Sequence, residues 1–245
     1  MTALPQTTAA PVPALPRLVR MHQDWSSLTF LHWPLAPAAV AAVLPPGLEP
    51  DTFAGSAWAG LVLFRLTVHP AVAGRRLPAV PWLCGFPEVN VRTYVRGPDG
   101  GRGITFLSLD APNLGAVAVA RSRAWALPYH WARMRMAERG DVRAYACTRW
   151  GGASTTATVR VGPRIQAGGL ERFLTDRWTF YNATRSGLSR SDVSHPPWEL
   201  ARAEVLHAAD GLIAATGLPA PDGPPLALYS AGTSAVIGAT RRVTG

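Results

Sequence analysis

The ten residues from Phe86 to Val95 constrain this chain more than any other stretch. They read Phe-Pro-Glu-Val-Asn-Val-Arg-Thr-Tyr-Val, and a strict period of two sends Glu88, Asn90, Arg92 and Tyr94 to one face and Val89, Val91, Thr93 and Val95 to the other. A helix cannot keep that pattern on one side. The turn-forming run Gly97-Pro98-Asp99-Gly100-Gly101 and a second strand pattern over 102–110 follow, so the region predicts a hairpin with a longer loop.

The rest of the chain repeats this grammar. Strand patterns cover 25–33, 56–69, 130–137, 142–150, 154–161, 178–184 and 188–195, with Glu138-Arg139-Gly140-Asp141 marking a second hairpin. Helices are expected only in short pieces: 36–44, stopped by Pro45-Pro46-Gly47, then 113–123, capped by Asn113, and 169–177. The segment 199–207 fits a helix or a strand. Many strands with a few short helices predict an α+β, β-rich chain built as a closed or highly bent mixed barrel. No repeat and no linker interrupts it, so residues 21–245 are expected to form a single domain. Residues 1–20, with Pro5, Pro11, Pro13 and Pro16, read as a disordered Ala/Pro-rich tail with no secretory signal. The longest uncharged apolar stretch, 33–48, is too short and too rich in proline to span a bilayer.

Composition removes several chemistries. All 24 basic residues are Arg, so a lysine Schiff base, a phosphate-cradling P-loop lysine and a lysine-linked cofactor are excluded. The formal charge of +9 raises the question of a nucleic-acid partner, but the arginines are dispersed and only Arg75-Arg76 and Arg241-Arg242 are adjacent. No nucleic acid and no membrane is expected as a partner. Cys84 and Cys147 form no CxxC and have no His at zinc-ligand spacing, which predicts reduced thiols in a cytoplasmic protein and no metal. Nucleophile-elbow, zinc-protease and dinucleotide fingerprints are missing from the sequence, and no cofactor is expected.

The polar face of 88–94 has two readings. It is the solvated outer face of an antiparallel sheet, or it points into a barrel lumen where a carboxylate, an amide, a guanidinium and a phenol converge on a ligand. In the second reading Glu88 is a general acid or base.

Further motifs bear on the choice. Gln23-Asp24-Trp25, His32-Trp33-Pro34, Leu44-Pro45-Pro46-Gly47-Leu48, the run from Phe86 to Val95, Ser108-Leu109-Asp110-Ala111, Leu127-Pro128-Tyr129, Phe173-Leu174-Thr175 and His195-Pro196-Pro197-Trp198 keep their order and approximate spacing over about Met21 to Ser230. In these motifs the chain resembles the YqjF-like bacterial family, which is without an established general function and looks like a branch of the acetoacetate decarboxylase-like superfamily. The resemblance implies a barrel-rich fold with an internal small-molecule cavity. It also places Arg121 on the superfamily's helix arginine, Glu88 on its strand carboxylate, and Tyr129 and His130 where its lysine pair stands. Without that lysine, decarboxylation through an enamine is not implied along with the fold.

These residues give a candidate catalytic set of Glu88, Arg121 and Tyr129. Arg can hold a carboxylate or enolate, Tyr can donate to an oxyanion, and Glu can move a proton beside a carbonyl. Substrate-binding candidates are His32, Trp33, Asn90, Arg92, Asp110, His130, His195 and Trp198. Each has a structural alternative: a buried Glu88–Arg121 ion pair, packed histidines beside tryptophans, Asp110 as a turn or cap, and Tyr129, Tyr181 and Tyr229 as core aromatics. The expected function is cofactor-independent acid–base chemistry, of lyase, isomerase, dehydratase or cyclase type, on a keto- or carboxylate-bearing small metabolite. The alternative is non-catalytic binding or sensing in the same cavity. Homo-oligomerisation stays open.

Overall fold

The structure, a computed structural model, describes residues 16, 18–79, 84–122, 125–185 and 187–243. Among these residues the strands are β1 (Val19–Leu35), β2 (Glu49–Pro50), β3 (Ala57–Val72), β4 (Arg75–Arg76), β5 (Gly85–Arg96), β6 (Arg102–Ala111), β7 (Tyr129–Arg139), β8 (Val142–Arg149), β9 (Ser154–Arg164), β10 (Thr179–Thr184), β11 (Gly187–Ser194), β12 (Ala201–Asp210), β13 (Leu226–Gly238) and β14 (Arg241–Arg242). The helices are α1 (Pro37–Ala41), α2 (Leu114–Arg121) and α3 (Gly169–Thr175). Most of the expected tail lies outside the described residues, but its last two, Val19 and Arg20, already belong to β1.

Local chemistry sets the element boundaries. Asn113 Oδ1 accepts the Ala116 N–H at 3.0 Å and starts α2, and Glu171 reaches back to the Gly168 N–H at 3.0 Å to start α3. The ambiguous segment is strand β12, paired with β9. Strand β13 was not anticipated, because Ser230, Gly232, Thr233 and Ser234 dilute its apolar alternation. Gly232 has a reason to be there: at φ +141°, any Cβ would meet the Trp25 carbonyl oxygen at 2.2 Å.

Five strands, β13, β1, β3, β5 and β6, run side by side as a wall. The sheet forks at both ends of it. The first part of β6 pairs with β10 and its last residues pair with β7, while β13 pairs with β12 near its start and with β11 near its end. One route from β6 to β13 runs through β10 and β11, the other through β7, β8, β9 and β12. Each closes a ring of hydrogen-bonded strands, and the wall belongs to both.

Because side chains alternate across a strand, the two faces of the wall look into different interiors. Leu31, Leu61, Leu63, Val89 and Val91 face the first, where Tyr145, Val159, Leu212 and Ile213 fill the space. Phe30, Val62, Phe64, Phe86 and Glu88 face the second, which is hollow. Two irregularities reset the alternation. On β1, Ser27 (φ +50°) sits in a register shift, so Gln23 and Trp25 face the hollow before it and Leu28 and Phe30 after it. On β6 a shift opposite Val91/Arg92 does the same, with Ile104 and Phe106 before it and Leu109 after. Among the described residues no helix is long and apolar enough to cross a membrane.

Candidate active site

The hollow is a cavity of about 500 Å³, walled by β1, β3, β5 and β6, by Phe180 of β10 and Val193 of β11, and by α2. Helix α2 presents its small residues Gly115, Ala116 and Ala120 together with Val119. Most of the lining is apolar, and the polar groups come from a few places: Gln23 on β1, Glu88, Asn90 and Arg92 on β5, Tyr129 at the start of β7, and Thr175, Arg177, Thr179 and His195 near α3, β10 and β11. The polar face of β5 therefore points into an interior, and the solvated-face reading is set aside.

Glu88 is 4% exposed, and the Tyr129 hydroxyl donates to its Oε2 at 2.5 Å. Burial pushes the Glu88 carboxyl up to about 7, against the lowering effect of hydrogen bonds from Tyr129 and Asn90 and with a small push from the Asp110 charge. Burial and the neighbouring Glu88 raise the Tyr129 phenol well above its ordinary value. Tyr129 thus keeps its proton, and Glu88 is the member of the pair that titrates near neutrality.

Two guanidinium groups stand in the same cavity. Arg177 donates from Nε to the Phe173 carbonyl at 2.7 Å and from Nη1 to Asp51 Oδ2 at 2.7 Å. Asp51 is fully buried and also accepts from Arg96 at 3.1 Å and Arg102 at 2.8 Å, so three cations surround one anion. Burial draws the Arg177 pKa down to about 10, where it remains a cation at neutral pH. Arg92 donates from Nη2 to the Leu174 carbonyl at 3.1 Å and lies over the rings of Phe30 and Tyr94. The Nη2 of Arg177, the Nε of Arg92 and the Oδ1 of Asn90 are buried without a hydrogen-bond partner among the described residues.

An aromatic group completes the lining. Trp198 stacks on Trp25 at 5.8 Å between centroids, its Nε1 donates to the Thr175 carbonyl at 3.0 Å, and the His195 ring lies 4.8 Å away. His195 Nδ1 donates to the Pro196 carbonyl at 2.7 Å, and burial lowers the pKa of the ring, which is neutral.

Of the sequence-derived candidates, Glu88, Asn90, Arg92, Tyr129, His195 and Trp198 come together at this cavity. The other five do not line it. Arg121 is exposed at the end of α2, one residue beyond the cavity-facing Ala120 and thus about 100° around the helix, so no Glu88–Arg121 pair forms. Asp110 pairs in register with Val89 and shares that residue's face. It is fully buried on the filled side, where Arg149 holds it through two bonds of 2.7 Å. His130, in register with Asp110, follows it to that side, and Trp33 packs in the filled core with its Nε1 on the Gly223 carbonyl at 3.1 Å. His32 lies behind the lining, its Nε2 2.8 Å from the Tyr94 hydroxyl, which donates onward to the Leu174 carbonyl at 2.9 Å. Burial holds His32 well below the ordinary histidine range. Sequence reasoning missed Arg177. It closes the helix expected over 169–177, and the one local signal of its burial is the bulky apolar side chains of Phe173-Leu174 before it and of Trp178 and Phe180 after it. Among the described residues no group of three or more His, Cys, Asp or Glu is placed to hold a metal ion.

Comparison with known proteins gives this geometry a setting. The uncharacterized protein YqjF of Bacillus subtilis (strain 168) is 34% identical over 215 residues, covering 86% of this chain and 87% of that protein. Among solved structures, the enduracididine biosynthesis enzyme MppR complexed with pyruvate superposes with a TM-score of 0.66 at 15% identity, over 90% of this chain and 89% of that one. Acetoacetate decarboxylase from Legionella pneumophila subsp. pneumophila str. Philadelphia 1 superposes with a TM-score of 0.60 at 14% identity, over 100% and 92% of the two chains. At such identities the two structural likenesses concern the fold. The profile of DUF2071, described as an uncharacterized conserved protein family, matches residues 22–234, and the chain belongs to that family, on an acetoacetate decarboxylase-like fold.

Proposed function

We propose that this protein is an enzyme that moves a proton beside a carbonyl group of a small carboxylate-bearing metabolite, without a Schiff base. The observation that carries the reading is the Glu88–Tyr129 pair, 2.5 Å apart in a largely apolar cavity that also contains two arginines with unused donors. A carboxyl group titrating near 7 suits proton abstraction and return at neutral pH. In the forward step Glu88, as carboxylate, takes a proton from the carbon next to the carbonyl. The electron pair left behind becomes an enolate, whose oxygen accepts a hydrogen bond from the Tyr129 hydroxyl. Arg92 and Arg177 hold the negative end of the substrate. Returning a proton to the enolate closes an isomerisation or exchange, and expelling a leaving group from it closes an elimination.

The fold likeness to MppR, whose structure contains pyruvate, supports oxo acids as the class to try, and the four-residue spacing of Glu88 and Arg92 along β5 calls for a carbonyl several atoms from the carboxylate. Proton NMR in D2O of oxo acids whose carbonyl stands at increasing distance from the carboxylate measures exchange at the carbons beside the carbonyl. Exchange catalysed by the wild type and lost in Glu88→Gln is the expected result. Binding without exchange, equal in wild type and Glu88→Gln, would establish the second reading, a small-molecule binding protein, which the predominance of apolar lining favours.

A further inference from the structure

We infer that the Arg92–Arg177 end of the cavity is an anion seat and that its ligand is an amphipathic monocarboxylate, with an apolar body much larger than that of a three- or four-carbon acid. The inference deepens the reading of the same cavity as a substrate site and rests on it. Three observations lead there.

The first is unmet hydrogen bonding. Arg177 is 8% exposed, two of its three nitrogens are used by Phe173 and Asp51, and the third, Nη2, is buried with no partner among the described residues. Arg92 Nε is in the same condition. A buried guanidinium donor without an acceptor is costly, and a carboxylate offers two acceptor oxygens in matching geometry. The second is charge. Arg92 has no ion-pair partner among the described residues, and Arg177 shares its one carboxylate partner, Asp51, with the half-exposed Arg96 and Arg102.

The third is size and lining. A cavity of about 500 Å³ corresponds to about seventeen water volumes. Pyruvate or acetoacetate, with about six or seven non-hydrogen atoms, would fill less than half of it. Away from the arginines and from the Glu88–Tyr129 pair the walls are mainly Phe64, Phe86, Phe106, Val62 and Leu66, with the small residues of α2 as well, and such a surface offers an extended ligand mostly apolar contact. Arg92 and Glu88 lie four residues apart on one face of β5, about 13 Å between Cα atoms, with Asn90 between them. The headgroup seat and the proton-moving pair are thus separate stations along one cavity.

The test uses the full chain and straight-chain probes that cannot react, followed by calorimetry and by the fluorescence of Trp25 and Trp198. Decanoate is expected to bind far more tightly than acetate, by about fourfold for each methylene that enters the cavity. It is also expected to bind at least about tenfold more tightly than decanol or decylamine. Arg177→Met is expected to remove the preference for the acid over the alcohol while keeping affinity for the apolar body. Because Arg177 also supports Asp51, Arg92→Met provides a second variant, and the headgroup series on the unaltered protein needs none. Decanol binding as tightly as decanoate to the wild type would overturn the anion seat, and acetate binding as tightly as decanoate would overturn the apolar body. Glu88→Gln is expected to keep decanoate binding, and a wild type that prefers the acid but catalyses no exchange would remove the catalytic reading and leave this one standing.

Discussion

The two interiors on either side of the β13-β1-β3-β5-β6 wall are built from the same strands and handle buried charge in opposite ways. On the filled side, Asp110 is closed off by a bidentate pair with Arg149, and Leu31, Leu61, Leu63 and Val91 pack around tyrosine and aliphatic side chains. On the hollow side, Glu88 has a phenol in place of a cation, and Arg92 and Arg177 keep unused donors. On β5 one face packs into the filled core and the other carries polar groups left unsatisfied, which are tolerated where a ligand can complete them. Stability and function should therefore separate cleanly between alternate residues of one strand.

The largest expected effect is on activity. Glu88→Gln keeps the shape and the hydrogen bond with Tyr129 but removes the base, and turnover should fall by about 10²- to 10⁴-fold. Tyr129→Phe should also slow turnover through loss of oxyanion stabilisation, with a melting temperature close to that of the wild type. Across the wall, Asp110→Ala should do the reverse. It strands Arg149 as an uncompensated buried cation, and urea unfolding should show a loss of about 3–5 kcal/mol. Asp110→Ala with unchanged stability, or Glu88→Gln with unchanged turnover, would break the division of labour between the two faces.

A pH series sharpens the same contrast. The Glu88 carboxyl is raised in the folded protein from its ordinary 4.5 to about 7. Between those values the folded chain holds a proton that the unfolded chain releases, so raising the pH through this window favours unfolding. The contribution is fully present below about 4.5 and gone above about 7. Stability of the wild type should thus fall relative to Glu88→Gln by about 3 kcal/mol across the window. Activity that uses the carboxylate form should rise over the upper part of it. A stability difference that stays flat from pH 4.5 to 8 would place Glu88 in contact with water.

How far the sequence reveals this arrangement depends on what each inference requires. Glu88, Asn90 and Arg92 were legible as one polar face because the period of two holds without interruption along β5. The direction of that face was not legible, since it depends on strands distant in sequence closing a ring. Asp110 was assigned to the wrong side because sides are set by cross-strand register, and it stands opposite Val89, not Glu88. Arg121 was misplaced by a single step around a helix. Strand β13, which closes both rings, has its alternation broken by Ser230, Gly232, Thr233 and Ser234, and Arg177 looks like a polar helix end until Asp51, 126 positions away in sequence, is brought against it.

The smallest expected effect concerns two leucines on β3. Leu63 is 0% exposed and Leu66 3%, so burial alone predicts equal costs of truncation. Their surroundings differ: Leu63 lies within the filled core, while Leu66 lines the cavity and has open space beside it. Leu63→Ala removes contacts on every side and leaves a new void in a close-packed region, for which a loss of about 2–5 kcal/mol is expected. Leu66→Ala enlarges a space that already exists and gives up contacts on fewer sides, so its cost should be lower by about 1–2 kcal/mol. Decanoate should reverse part of the order, because a ligand lying against Leu66 makes that side chain part of a packed interior. Stability measured for both variants with and without decanoate decides the point. If the two leucines cost the same and the acid protects neither, the cavity is not the space that the ligand fills.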